Sequence, residues 1–389
     1  MKWRMFICAI CFLIGGCSLN IPLEDQFSDP DAITDVLSAR SLLASAYKAM
    51  PQQIFQLSVL SDDFCPSQHL NKDMSLQGLY NWREVEMTEL AGTLWAGYYA
   101  VIAEVNALLA RIDAVVTLDE TEKLEKMRIV CEAKALKSWC YFDLLRLFAP
   151  RYEGNENKDG IILKKRVELD FLPRSSVKEC VTEIRTLLNE ARNVDNTQKN
   201  VYWLSDKAVA YLQVELELYA GNYPAVLELT KDLETEYPES VLGADVYKYL
   251  WSSENSDARI FGKYQLEQIY MDIRFDTFEK GDYLVLSQNV DYEEEDIRKE
   301  WSEIPFVMPD AKNVRLLGKY NKMNRDKVAS KYVNVARAAG MWLMRVEALA
   351  RSGKEGDAVA LANRMLKQRG ATEWSTNIAG NELISKILI

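Results

Sequence analysis

Chemistry in this chain must be built without several of the usual parts. The sequence carries one histidine, His69, so a zinc site made of several histidines is excluded and a serine–histidine nucleophile would have to recruit that residue. Beyond the N-terminal segment the cysteines are Cys65, Cys131, Cys140 and Cys180, with no C-x-x-C pair among them. Cys131 and Cys140 stand nine apart on one expected helix, roughly 13 Å, too far to bridge. All four read as small buried hydrophobes. Asn155 to Gly160 (NENKDG) opens like a calcium loop, yet the position of the bidentate glutamate holds Arg166, so it reads as a solvated turn. The acidic run Asp291 to Asp296 reads the same way. No metal or cofactor is expected. Two kinds of chemistry remain: a pair of carboxylates, and binding on aromatic rings. Rings outside helical periodicity are Tyr80 and Trp82, with Asp63 and Asn71 as polar neighbours, and Tyr283, Tyr292 and Trp301 farther along. A flat ring offers area with little rotamer entropy to lose, which suits a ligand with apolar faces and a polar edge.

These groups need a frame, and the frame reads as helical. Arg128 to Pro150 (RIVCEAKALKSWCYFDLLRLFAP) places Val130, Ala133, Leu136, Cys140, Leu144 and Leu147 on one face and Trp139, Phe142, Leu145 and Phe148 on another. A helix apolar on nearly every side is enclosed by other helices. Asp143 and Arg146, three apart, pair with each other, and Asp143 is read as part of an ordinary core helix rather than as a catalytic acid. Pro150 ends the helix. Thr34 to Tyr47 predicts a first helix capped by Asp31 or Thr34. Thr93 to Ile112 predicts another, with Trp95 in the core. Ser58 to Leu90 is expected to be a long loop.

Two stretches read as helical hairpins. In Leu204 to Pro238 a helix from about Asp206 to Ala220 meets a Gly221-Asn222 turn, and a second helix starts near Tyr223-Pro224. In Ala339 to Ala371, Trp342, Gly353, Ala358, Ala362 and Gly370 fall at tetratricopeptide spacing. Such hairpins expose an apolar face and must stack on neighbours. Residues 240–335 lose this period, with Arg259 to Met271 hinting at short strands.

The N-terminus carries Lys2 and Arg4, an apolar run from Met5 to Ile14, then Gly15-Gly16-Cys17. That is the pattern of a secretion signal, too short for a comfortable membrane span. Ile14 to Cys17 resembles a bacterial lipobox, which would make acylated Cys17 the first mature residue and the membrane attachment. The formal charge is −11, and removing residues 1–16 takes away two cations and no acid. Such a balance argues against nucleic acid and against electrostatic adhesion to anionic lipid.

Taken in order, several of these stretches resemble one family. Cys17-Ser18-Leu19-Asn20, then the helix ending Ala44-Ser45-Ala46-Tyr47, Ser61-Asp62-Asp63, Trp95 to Ile102 leading to Asn106, and Tyr141-Phe142-Asp143-Leu144 with Arg146 and Phe148 follow the SusD/RagB pattern. So do Arg174 and Ser176, Asp296-Ile297-Arg298 with Lys319-Tyr320, and Met341 to Ala371. The family consists of outer-membrane lipoproteins that capture glycans for TonB-dependent uptake. Its members usually continue beyond the point where this chain reads NELISKILI, so a C-terminally short variant is expected.

The resemblance implies a mainly α, SusD-like fold: a tetratricopeptide-like scaffold over 34–238 and 336–389 with a smaller irregular subdomain at about 239–335, after a signal at 1–16 and a tether at 17–33. It implies a surface-exposed, non-catalytic glycan-binding lipoprotein of the outer membrane whose partners are an oligosaccharide and a SusC-like transporter. The alternatives are a carboxylate-pair glycoside hydrolase on a helical scaffold and a helical-repeat adaptor that binds only protein.

Overall fold

The computed structural model describes residues 33–61, 64–66, 74–168, 170–192, 201–252, 255–264, 284–286, 291–307, 313–319 and 332–388. Helix α1 spans Val36–Ala49. Its cap is Asp35, not Asp31 or Thr34: the Asp35 carboxylate accepts the Ser38 backbone N–H at 2.7 Å, and the Ser38 hydroxyl side chain answers at the Asp35 N–H. Sequence periodicity sees the apolar stripe but cannot choose among three nearby capping residues.

The expected long loop from Ser58 to Leu90 is mostly regular structure. It contains the end of α2 (Ile54–Leu60), strand β1 (Phe64–Pro66), helix α3 (Met74–Tyr80) and the start of α4 (Glu84–Arg111). Each of α2 and α3 is only two turns long, too short for a periodic signal to stand out. Helix α5 (Glu120–Phe148) begins a full two turns before the apolar stretch, where Asp119 accepts the Glu122 N–H at 2.8 Å. Its last turns are enclosed: Ala133, Ala135, Leu136, Cys140, Tyr141, Leu144 and Leu145 are completely buried. Helices α1, α4 and α6 (Val177–Glu190) pack around it. Ser176 and Glu179 form the reciprocal cap of α6, and Arg174 donates to the carbonyls of Phe148 and Gly160, tying the end of α5 to the loop before α6.

The first hairpin is α7 (Asp206–Tyr219) and α8 (Tyr223–Leu229), turned by Gly221 at φ 70. The second limb is shorter than its apolar pattern suggested. It breaks at Thr230 and resumes as α9 (Leu233–Glu236), and α10 (Ala244–Tyr247) follows a short turn. Strand β2 (Arg259–Tyr264), β3 (Leu284–Leu286), helix α11 (Ile297–Ser302) and strands β4 (Glu303–Val307), β5 (Asn313–Leu317) and β6 (Tyr332–Arg337) occupy the stretch that lacked helical period. The second hairpin, α12 (Ala338–Arg351) and α13 (Glu355–Arg369), turns at Gly353 and ends on left-handed Gly370. The indole N–H of fully buried Trp342 donates to the Tyr237 carbonyl at 3.1 Å, clamping the two hairpins together. Helix α14 (Gly380–Leu388) seats Leu383 in the core against α12 and α13.

The strands form a β2–β6 ribbon and a four-stranded antiparallel sheet in the order β1-β3-β5-β4. The edge strand β1 comes from the early segment, more than two hundred residues before its neighbour β3. Phe64 pairs with Leu286 and Pro66 with Leu284. Edge position suits Pro66, which has no N–H to donate.

Candidate ligand-binding site

That sheet joins the two segments from which the candidate ligand residues were drawn. Among the described candidates, Tyr80 ends α3 and Trp82 follows it in the turn to α4, while Tyr292 lies in the segment before α11 and Trp301 lies within α11. Among the candidates, Asp63, Asn71 and Tyr283 lie outside the described residues, as does Cys17.

Tyr80 and Trp82 sit where α3 turns into α4. The Arg83 N–H donates to the Gly78 carbonyl at 2.9 Å and the Trp82 N–H to the Leu79 carbonyl at 3.0 Å, the two bonds of a Schellman motif. Trp82 therefore occupies the left-handed position that such a motif normally reserves for glycine, with φ 55. It is the one non-glycine residue with positive φ among the described residues. A side chain in that conformation costs about 1–2 kcal/mol. Burial does not offset it, since the indole is 63% exposed and Tyr80 beside it 38%. Backbone strain with no burial in return motivates a functional reading of this ring. The Arg83–Glu86 pair lies against Gly78, where a Cβ would collide with the Glu86 carboxylate.

The second set is less open. Tyr292 is half-buried with the Arg298 guanidinium 5.1 Å from its ring centre, and burial raises its phenol above the usual range. Arg298 is fixed in turn by a double contact with buried Asp296, the cap of α11. The rest of the acidic run, Asp291 and Glu293 to Glu295, is exposed. Trp301 packs partly against the core. Trp95, expected in the core, is half-buried: Phe148 meets it edge-on at 5.1 Å and the Arg174 guanidinium lies 4.9 Å from its centre.

Sequence reading missed a second ring-lined feature. A cleft of about 310 Å³ opens between the end of α1, the middle of α5 and β2, lined by Tyr47, Trp139, Tyr202, Trp203, Phe261 and Lys263. The adjacent pair Tyr202-Trp203, just before the Ser205 cap of α7, was the available signal. Its partners lie far away in sequence, and no periodic pattern links them.

Among the described residues no group of three histidine, cysteine or acidic side chains could hold a metal ion. Cys131, Cys140 and Cys180 are buried, and burial pushes the thiols of Cys140 and Cys180 up, away from reactivity. Asp143 accepts from Tyr98 at 2.8 Å and pairs with Arg146, a structural role.

The described residues form a mainly α body of stacked helical hairpins that carries a small antiparallel sheet. Residues 23–214 match the family model described as SusD-like, starch-binding associating with outer membrane. Solved structures agree in fold over nearly the whole chain. A SusD-like carbohydrate binding protein from Bacteroides vulgatus is 17% identical, with a TM-score of 0.75 over 92% of this chain and 80% of that one. A SusD superfamily protein from Bacteroides thetaiotaomicron is 16% identical, with a TM-score of 0.76 over 91% and 85%. A SusD homolog from the same organism is 20% identical, with a TM-score of 0.69 over 92% and 85%. No curated protein sequence matches this chain. The chain belongs to the SusD-like family.

Proposed function

We propose that this protein is a non-catalytic, surface-exposed glycan-binding lipoprotein of the outer membrane. It is held by acyl chains on Cys17 and passes oligosaccharides to a SusC-like, TonB-dependent transporter. The family description as starch-binding and outer-membrane-associated supports the class of ligand and the location. The observation that carries the reading is Trp82, an exposed indole kept in a glycine conformation beside Tyr80. An exposed indole, with only two side-chain torsions, stacks on the apolar face of a sugar with little entropy to lose. Asp63, Asn71, Tyr283, Tyr292 and Trp301 are proposed to complete the surface.

The test is calorimetry of the mature chain against neutral oligosaccharides, with Trp82→Gly as the variant. Binding of a cognate sugar that disappears in the variant supports the reading; new reducing ends released from that sugar would instead make the protein a hydrolase. Co-purification with a barrel transporter from membranes, and fatty-acid labelling that is lost in Cys17→Ser, check the partner and the anchor.

A further inference from the structure

The cleft between α1, α5 and β2 has a property that the Trp82 surface lacks. Lys263 lines it and is 7% exposed, yet its ammonium has no hydrogen-bond acceptor and no ion-pair partner among the described residues. Two other buried cations are matched: Lys137 donates to Asn106 at 2.6 Å, and Arg259 to Asn334 and three backbone carbonyls; buried Arg369, whose Nε has no acceptor, lies instead against the Tyr247 ring, away from any ring-lined cleft described above. An unmatched buried charge is costly and persists where something else supplies the counter-charge.

We propose that this cleft binds a carboxylate-bearing sugar, one uronic acid unit of an acidic glycan, with the carboxylate on the Lys263 ammonium and the ring among Trp139, Tyr202, Trp203 and Phe261. This rests on reading the chain as a glycan-binding protein and assigns a ligand class to a second site. The volume, about 310 Å³, stands at the small end of ligand pockets and suits a single ring rather than a chain. The walls are pre-set. Tyr47 meets Trp203 edge-on at 5.0 Å, Arg40 lies 5.4 Å from the Trp203 centre, and Trp139 meets Phe261 edge-on at 5.2 Å. Exposed Lys48 stands at the mouth, so an anion reaches the cleft past a cation although the protein as a whole is acidic. A neutral sugar would use the same rings but leave Lys263 unmatched.

Lys263 also offers a pH readout. Burial pushes its ammonium down to about 8, against the pull of Asp143 and of the Cys140 thiol, both on α5. Above that pH the charge is lost and with it the preference for an acid.

Digalacturonate and its neutral counterpart galactobiose, titrated into the full mature chain at pH 6.5 and pH 9.5 and followed by calorimetry, test this. The expected result is digalacturonate binding roughly ten-fold or more tighter at pH 6.5, as one charge-assisted contact gives, with the preference much reduced at pH 9.5. Lys263→Met should remove the preference while keeping the fold, since it replaces an unmatched buried charge by an apolar chain. Trp203→Leu should weaken both sugars, and Trp82→Gly should leave the preference intact. Equal binding of the two sugars, no binding of either, or an unchanged preference in Lys263→Met overturns the proposal. Loss of neutral oligosaccharides in Trp82→Gly with digalacturonate unaffected would separate this site from the Trp82 surface.

Discussion

The Arg40 guanidinium on α1 donates to the Glu132 carboxylate on α5 across 2.9 Å, at a position where the glutamate side chain is wholly cut off from water. The Tyr47 hydroxyl lies 3.4 Å from the same carboxylate and accepts the Leu204 N–H at 3.1 Å. One buried acid thus ties α1, α5 and the approach to α7, and Arg40 stacks on Trp203 in doing so.

Breaking that pair from the arginine side should be severe. Arg40→Met leaves Glu132 charged and buried, and a cost of about 3–5 kcal/mol is expected in urea unfolding. Adding Glu132→Gln should recover a large part, because the orphaned charge is gone. Equal stability of the single and double variants would show that the pair, not the stranded acid, sets the cost.

Trp82→Gly separates strain from function by sign. Glycine adopts the left-handed position freely, so thermal stability should hold or rise by up to about 1 kcal/mol. Neutral glycan binding should fall to background at the same time. A variant that loses stability would place the indole among the packing residues.

Gly340 on α12 faces Tyr211 on α7, and a Cβ there would run into the phenol oxygen and lie 3.2 Å from two ring carbons. Gly340→Ala is expected to destabilise by roughly 1–3 kcal/mol through overpacking. Tyr211→Phe in the same chain should relieve part of it, read as a coupling in a double-mutant cycle.

Glu215 on α7, beside Arg146, is pushed up to about 7 by burial, with Arg146 opposing and Asp143 adding to the rise. The folded state therefore holds this proton more tightly than the unfolded chain does. The contribution favours folding below the ordinary glutamate range and is lost as pH rises from about 4.5 through 7. Thermal melts from pH 4.5 to 8 should show Glu215→Gln gaining on the parent protein by roughly 1–3 kcal/mol across that window. Parallel curves would remove Glu215 from the pH response.

Legibility followed range. Helix α5 was visible because its apolar pattern is local and long, and the turns at Gly221 and Gly353 because left-handed backbone selects glycine. The same rule hid Trp82: nothing in the sequence says that a tryptophan stands in a glycine place. The helices inside Ser58 to Leu90 were missed because two turns carry too few apolar positions to outvote a loop reading. β1 was missed because its partner lies far along the chain.

By itself the sequence determined what local spacing and composition can encode: a mainly helical body, two glycine-turned hairpins, and too few histidines and paired cysteines for most metal chemistry; its N-terminal pattern adds the expectation of a secretion signal. Tertiary structure alone decided which rings meet water, which meet each other, and that Lys263 stands unmatched among them. The physical reason is that exposure and charge pairing depend on contacts between residues tens to hundreds of positions apart, and no periodicity along a single chain records them.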